Sequence, residues 1–478
     1  MNFSPSPPLS LAVINELRAV VGHEHVLLSP EDLLAYSIDG TWNSHRPQVV
    51  VLPMTAKEVA QVVIIAGREG LPITPRGSSS GLSGGAIPAQ GGISLALTRM
   101  RRIIEISVTD QVVVVEPGVI TGDLQQAVEK QNLFYPPDPS SLSISAIGGN
   151  IAENAGGARC LKYGVTSDYV LALEVVLASG AIIRTGGRTV KNVTGYNLRS
   201  LFVGSEGTLG IVTEATLRLL PKPRYQRTAV AHFASVEAAA SATTAILAAG
   251  IIPTSIELLD RTTLTCVEAM MHIGLPTDIA AMLLFQVDGQ HESAVADDIT
   301  AVAQACLDSG ATAVQQAAND AEAQQLWRAR RAVSPSLARQ RPNKLGEDIA
   351  VPRSKIAAMI HEIHEIAATY RVTIPVFGHA GDGNLHPNIL CDLRDADEMQ
   401  RVQSAATAIF TAAIKLGGTL SGEHGIGLLK QEFMKQALGA EQLAAMRAIK
   451  DALDPQGILN PGKIFPTGRT ELFGTEFA

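Results

Sequence analysis

The spacing of apolar and polar positions divides the chain into short, distinct segments. Residues 9–21 carry helical spacing, then comes an apolar run at 49–52, a helical segment over 55–69, and Ile73-Thr74-Pro75 entering a glycine-rich loop, which reads as strand, helix, strand. The β-branched runs at 93–97, 103–107 and 112–116 are too short for helices and are separated by turn residues, so each predicts a strand. A helix is expected from about Thr121, followed by Tyr135-Pro136-Pro137-Asp138-Pro139, a Ser/Gly/Asn-rich stretch to Gly164, a hairpin around Ser179-Gly180 and a strand over 210–220. These elements make two sheet-based lobes.

Pro221-Lys222-Pro223 marks a boundary, because two prolines in three residues cannot continue a helix or a central ladder. Beyond it, helical stretches at 237–249, 293–309, 319–338 and 355–370 alternate with strands at 228–233, 255–259, 281–288 and 373–378. That pattern predicts an α+β domain with largely antiparallel strands. The tail after Gly417 holds SGEHGIG, two short helices and Leu459-Asn460-Pro461-Gly462. The expected organisation is a helical segment at 1–40, a two-lobed domain at 41–223, a second domain at 224–415 and a completing segment at 416–478. The alanine-rich stretch 236–256 contains Glu237, several Ser and Thr, and Pro253, which predicts a buried helix rather than a membrane span.

Composition narrows the function classes. With 46% hydrophobic and 18% charged residues the chain folds, and a net charge of −8 repels phosphate backbones, so nucleic acid is not expected as a partner. The first basic residue is Arg18, which leaves no basic region ahead of an apolar stretch and argues against export. Cys160, Cys266, Cys306 and Cys391 are too far apart for a zinc knuckle, a disulfide framework or an iron-sulfur run, and fit a reducing, cytoplasmic setting.

The chemistry sits in five glycine-containing segments. PRGSSSGLSGGA, from Pro75, follows a strand and offers successive backbone N–H groups to an anion, although taken alone it fits an ordinary surface loop equally well. DPSSLSISAIGGNIAENAGGARCLKYG, from Asp138, and GSEGTLGIVTEATL, from Gly204, add glycines and polar side chains in the same lobes. Three such loops suggest a long phosphate-bearing cofactor laid across them.

In FGHAGDGNLHPNI, from Phe377, a two-residue turn at Asp382-Gly383 would pair His379 with His386 and set two imidazoles on one face, with Asn388 two residues along. Two separate histidines remain the alternative. Glu423-His424 supplies a carboxylate and a further imidazole; two His and one Glu suit zinc or manganese, leaving His424 as a base, while a surface ion pair would read the same way. The Arg328, Arg330, Arg331 run offers a partner for a carboxylate against the default of a solvated helix face.

Together PRGSSSGLSGG, PPDPSS, IGGNIAENAGG, GSEGTLGIVTEATLRLLP, GHAGDGNLHPN, SGEHGIG and LNPGKI resemble the FAD-linked D-2-hydroxyacid dehydrogenases of the vanillyl-alcohol-oxidase superfamily, over about residues 20–467. That group includes glycolate oxidase catalytic subunits, to which the pattern is most similar, D-lactate dehydrogenases and D-2-hydroxyglutarate dehydrogenases. The resemblance implies a two-lobed FAD-binding domain with an α+β, antiparallel-sheet substrate cap. It implies that Arg76, Gly77, Ser78, Ser79, Ser80, Gly81, Ser83 and Gly84 cradle the pyrophosphate, with further FAD contacts at Asp138, Ser141, Gly148, Asn150, Gly157 and Ile211, and with Asn460 near the flavin ring. Relatives that bind FAD covalently use a histidine in the first loop; this loop has none, so noncovalent FAD is implied.

By the same resemblance His379, His386 and Glu423 are the metal ligands, His424 is the base, Asn388 lies near the substrate, Arg330 binds its carboxylate, and Ser334 and Lys344 are weaker carry-overs. The implied reaction takes a small 2-hydroxy acid, glycolate or D-lactate, to the 2-oxo acid: His424 removes the proton of the metal-polarised hydroxyl and hydride passes to flavin N5. A D-2-hydroxyglutarate dehydrogenase, a noncatalytic flavoprotein subunit and a metallohydrolase are the competing readings. Electrons would leave through a separate acceptor, an iron-sulfur or electron-transfer protein, a quinone or oxygen, with the chain in a hetero-complex or homodimer and at the inner membrane only through a partner.

Overall fold

The computed structural model describes residues 8–468. The described residues divide into two compact units: the first takes 8–156, Val165–Lys222 and 423–468, and the second takes Gly157–Gly164 and Pro223–Gly422.

Two large sheets build the first unit, beside a two-stranded pairing of Leu133–Phe134 with Leu220–Pro221. In one, Val49–Val51, Ile93–Ala96 and Ile73–Arg76 lie parallel in that spatial order, with Val26–Leu27 antiparallel at the edge. The connection from the first of these strands to the third is the helix Ala56–Glu69, begun by the Thr55 side chain accepting from Glu58 N–H and ended at Gly70 with φ 65°. Val59, Val62, Val63 and Ala66 recur at helical spacing and are buried against Val49, Val51, Ile73, Ile93 and Leu95, which fixes where the loop after Arg76 emerges. The other sheet is antiparallel, in the order Ile103–Ser107, Val112–Val115, Ile211–Arg218, Val170–Val176, Ile182–Gly186.

The second unit is built on one antiparallel sheet, ordered Ala311–Gln316, Tyr225–Phe233, Ala281–Gly289, Ser255–Asp260, Val376–His379, Asn384–Cys391, Asn343–Gly346, with Ile349–Ala350 also pairing to Asn384–Cys391. Helices Arg261–Met271, Asp320–Arg331 and Val333–Leu337 cover one face through Leu264, Val267, Ala329, Val333 and Leu337 against Val230, Leu259, Leu284 and Phe377. The expected α+β architecture is present.

Several elements differ from their sequence pattern. The stretch 319–338 is two helices, broken at Ala332. The pattern passes over the helix Arg261–Met271, where Thr262, Thr263 and Thr265 lower intrinsic propensity, yet Asp260 caps it by accepting from Thr263 N–H. It also passes over Ala396–Lys415, whose buried Val402, Ala405, Ala406, Ile409, Phe410 and Ala413 do keep helical spacing. The alanine-rich helix is Val236–Ala248, and among the described residues no helix is long and apolar enough to cross a membrane.

Candidate active site and flavin cradle

In the second unit the histidines stand on one hairpin, but in a different register from the expected one. His379 pairs with Asn384, and Phe377 rather than His379 stands opposite His386. The connection spans four residues, with the N–H groups of Asp382 and Gly383 donating to the His379 carbonyl at 3.2 and 3.1 Å. A two-residue turn is excluded because the loop is held from outside the hairpin: Gly381 N–H donates to Ile256 O, Arg353 Nε donates to Gly381 O, and a β-carbon on Gly381 would lie 2.5 Å from Leu161. The slip is two residues, so the side chains keep their face. The imidazole centroids are 5.1 Å apart and each ring presents a nitrogen within 4.8 Å of the other's.

That face collects the polar groups of three strands. Glu257 is directly opposite His379 on the neighbouring strand, fully buried, and its carboxylate lies 2.7 Å from His379 Nδ1 and 2.6 Å from Arg330 Nε. Burial alone would raise the Glu257 carboxyl, but the charges and hydrogen bonds of His379 and Arg330 outweigh it and hold it below the usual carboxylate range. An ionised carboxylate only accepts, so Nδ1 of His379 donates, and in the neutral imidazole the lone pair is then on Nε2. Asp348, also fully buried, accepts from Asn384 Nδ2, Ser421 Oγ and Gly422 N–H at 2.6, 2.7 and 2.9 Å, and its Oδ1 lies 3.6 Å from His386 Nδ1. His379 thus has a hydrogen-bonded carboxylate behind it, the arrangement that orients metal-binding imidazoles, while Asp348 stands beside His386 without a hydrogen bond between them.

Arg330 departs from the solvated helix face of the default reading: Arg328 and Arg331 are exposed while Arg330 is buried, stacked 4.9 Å over the Phe377 ring. Asn388 is buried, donates to His386 O and accepts from Lys344 Nζ at 3.2 Å; burial pushes the Lys344 ammonium down. Ser334, by contrast, is exposed on Val333–Leu337. Sequence reading missed Glu257; the available signal was one carboxylate in the apolar strand SIELLD.

The flavin candidates other than Gly157 lie in the first unit. Arg76 ends its strand with the guanidinium turned to the carbonyls of Tyr36 and Ile38 and stacked over Tyr36, so its side chain is committed to the N-terminal segment. The next residues, Gly77, Ser78, Ser79, Ser80 and Gly81, form an irregular loop in which Ser79 has φ 57°. Ser83 is buried and donates to Glu153, and Gly84 lies against Leu428. Asp138 and Ser141 are half-buried, Gly148 and Asn150 sit in the helix Ile147–Glu153 with Asn150 Nδ2 donating to Thr121 Oγ1, and Ile211 is buried at the start of its strand. Asn460, with φ 40°, donates to the carbonyls of Gly85 and Glu206. Ser79 Oγ and Asn460 Oδ1 are buried with no protein partner, both on residues in the left-handed region. Orphaned polar atoms on strained backbone fit a chain that wraps a polar cofactor.

Glu423 and His424 are half-buried and follow Gly422 directly. Their loop is held inside the first unit by Glu206, which accepts from Ile426 and Gly427 N–H, both at 2.7 Å. Burial and the charge of Glu206 raise the neighbouring Glu153 carboxyl well above its usual range, and burial pushes Lys463 down to about 8. A carboxyl with a raised folded pKa binds a proton that the unfolded chain releases, so it lowers stability as pH rises from the unfolded value of 4.5. Lys463 acts oppositely, but only as pH rises through about 8. Glu153→Gln is therefore expected to lose less stability than the parent between about pH 5 and about pH 7 in paired thermal melts, and an unchanged difference refutes the assignment.

Residues 47–186 match the model of an FAD binding domain and residues 222–464 that of FAD linked oxidases, C-terminal domain. The chain is 48% identical over 454 residues to the glycolate oxidase subunit GlcD of Bacillus subtilis, covering 95% of this chain and 96% of that one. It is 35% identical over 426 residues to a D-lactate dehydrogenase of Anaerostipes hadrus, covering 88% and 90%. The solved structure of p-cresol methylhydroxylase with substrate bound superposes with a TM-score of 0.81 over 98% of this chain and 100% of that one at 19% identity, which bears on the fold. The matched domains and relatives define an FAD-dependent oxidoreductase. The chain belongs to the FAD-linked oxidase family.

Proposed function

We propose that this chain oxidises a small D-2-hydroxy acid, glycolate or D-lactate, to the 2-oxo acid with noncovalent FAD and a divalent metal, zinc or manganese. The observation that carries the reading is a pair of adjacent imidazoles and a buried guanidinium on one face of one sheet, joined by Glu257. His379 and His386 offer two nitrogens and Glu423, the residue after the Asp348-anchored Gly422, a carboxylate. That donor set suits zinc or manganese with an open position. When bound, the cation supplies a Lewis acid for the substrate hydroxyl and the flavin supplies the two-electron acceptor.

The residues do the rest. Arg330, whose Nε is taken by Glu257, has its terminal nitrogens for the substrate carboxylate, which fixes the direction of the reacting C–H bond. Lys344 and Asn388 add a second polar anchor on the same face. His424 accepts the hydroxyl proton. A separate acceptor, protein, quinone or oxygen, reoxidises the flavin. The relatives named for glycolate oxidase and D-lactate dehydrogenase support this substrate class.

The test is an anaerobic panel of 2-hydroxy acids mixed with purified flavoprotein, followed by turnover with a dye acceptor. Glycolate or D-lactate is expected to bleach the flavin faster than L-lactate or D-2-hydroxyglutarate. Preference for D-2-hydroxyglutarate would move the assignment to that dehydrogenase, and no bleaching by any member would end the hydroxyacid reading.

A further inference from the structure

We propose that Glu257 is a positioning residue that couples the metal site to the anion-binding arginine, by holding His379 and Arg330 with the two oxygens of one carboxylate. The inference rests on the metal-assisted reading above. Three observations carry it. Glu257 Oε1 meets His379 Nδ1 at 2.7 Å and Oε2 meets Arg330 Nε at 2.6 Å, so each oxygen has its own partner. The contact is built into the sheet, since Glu257 and His379 are directly paired across neighbouring strands. Neither partner is solvent-held: Glu257 is fully buried, and Arg330 and His379 are nearly so.

The chemical consequence follows from the donor inventory. A carboxylate accepts at both oxygens, so neutral His379 carries its proton on Nδ1 and presents Nε2 as a lone pair, and the Arg330 guanidinium is fixed in the plane of its Nε–H bond. Phe377 stacks beneath that guanidinium and packs at 5.4 Å against His386, which limits the remaining freedom of both. An amide at position 257 has one acceptor and one donor. It satisfies Arg330 only by pointing its NH₂ at His379 Nδ1, which drives the proton to Nε2 and removes a ligand.

Glu257→Gln is therefore expected to weaken zinc or manganese binding about 10–100-fold, the range seen when the hydrogen-bond partner of a ligating histidine is altered. Metal affinity is measured by chelator competition on the FAD-loaded protein. Arg330→Met is expected to keep metal affinity within about threefold while raising the substrate KM at least about tenfold. Because Glu257→Gln leaves Arg330 buried without its counter-charge, the double variant Glu257→Gln/Arg330→Met is measured too; with no guanidinium to satisfy, the amide oxygen is free to accept from His379 Nδ1, and metal affinity is expected to recover most of the loss. Unchanged metal affinity in Glu257→Gln, or an equal defect in the double variant, with wild type binding metal, overturns the coupling and leaves the proposed reaction standing. A wild-type protein that binds neither metal overturns the metal-assisted reading itself, and the coupling with it.

Discussion

Replacing His424 by alanine is expected to cut flavin reduction by 2-hydroxy acid about 10²–10⁴-fold, the contribution typical of a positioned general base, while the protein keeps its FAD. The backbone that carries His424 is held independently of its imidazole. Glu206 grips the N–H groups of Ile426 and Gly427, and the Ser83 carbonyl accepts from Leu428 N–H, so deleting the ring leaves the loop anchored within the first unit. The flavin candidates Ser79 and Asn460 make no use of that ring: Asn460 is placed by Ile73, Gly85 and Glu206. Loss of the base should also remove the acid limb of the pH dependence of flavin reduction, because the residue that must be neutral to accept the proton is gone. Single-turnover anaerobic mixing reads both, and added imidazole is expected to restore part of the rate. A variant with unimpaired reduction and an unchanged pH profile would remove His424 from the reaction.

Much of this site was legible because sheets sort side chains with a period of two. His379, His386 and Asn388 are separated by odd and even steps that put them on one face in any hairpin closed with even register, so the face survived although the turn was misplaced by two residues. The turn was not legible because its geometry is decided by Ile256, Arg353 and Leu161, none of them local. Glu257 was hidden for the same reason: its partners lie 73 and 122 residues further along the chain, and a single glutamate in an apolar strand does not say which residues will face it. Glu153 and Glu206 stood inside motifs whose glycines drew the reading, and only folding brings them together beside Ser83 and the 425–427 loop. Arg330 shows the reverse case. The Arg328, Arg330, Arg331 run offered a partner for a carboxylate, and the structure buries Arg330 while its neighbours Arg328 and Arg331 stay exposed.

The other large effect is expected from His386→Ala. This residue has two neighbours that make its imidazole a placed group rather than a filler: Phe377 directly across the ladder, with ring centroids 5.4 Å apart, and Asp348 at 3.6 Å from Nδ1. Truncating it removes one of the two nitrogens that lie within 4.8 Å of each other, leaving His379 with its Glu257 partner but no second imidazole. Turnover is expected to fall by roughly three orders of magnitude, corresponding to the several kcal/mol that a Lewis acid contributes to such a transition state. Bound zinc or manganese, measured by elemental analysis after dialysis, should fall with it. FAD content should not, since the hairpin belongs to the second unit and every flavin candidate except Gly157 belongs to the first. Chelator-treated wild type is the matching control: it is expected to drop to the rate of the variant and to recover when zinc or manganese is returned, whereas His386→Ala stays low at the same metal concentration. Recovery of the variant to the wild-type rate, or full turnover with no metal bound, would mean that the two histidines serve the fold of the hairpin and not the oxidation.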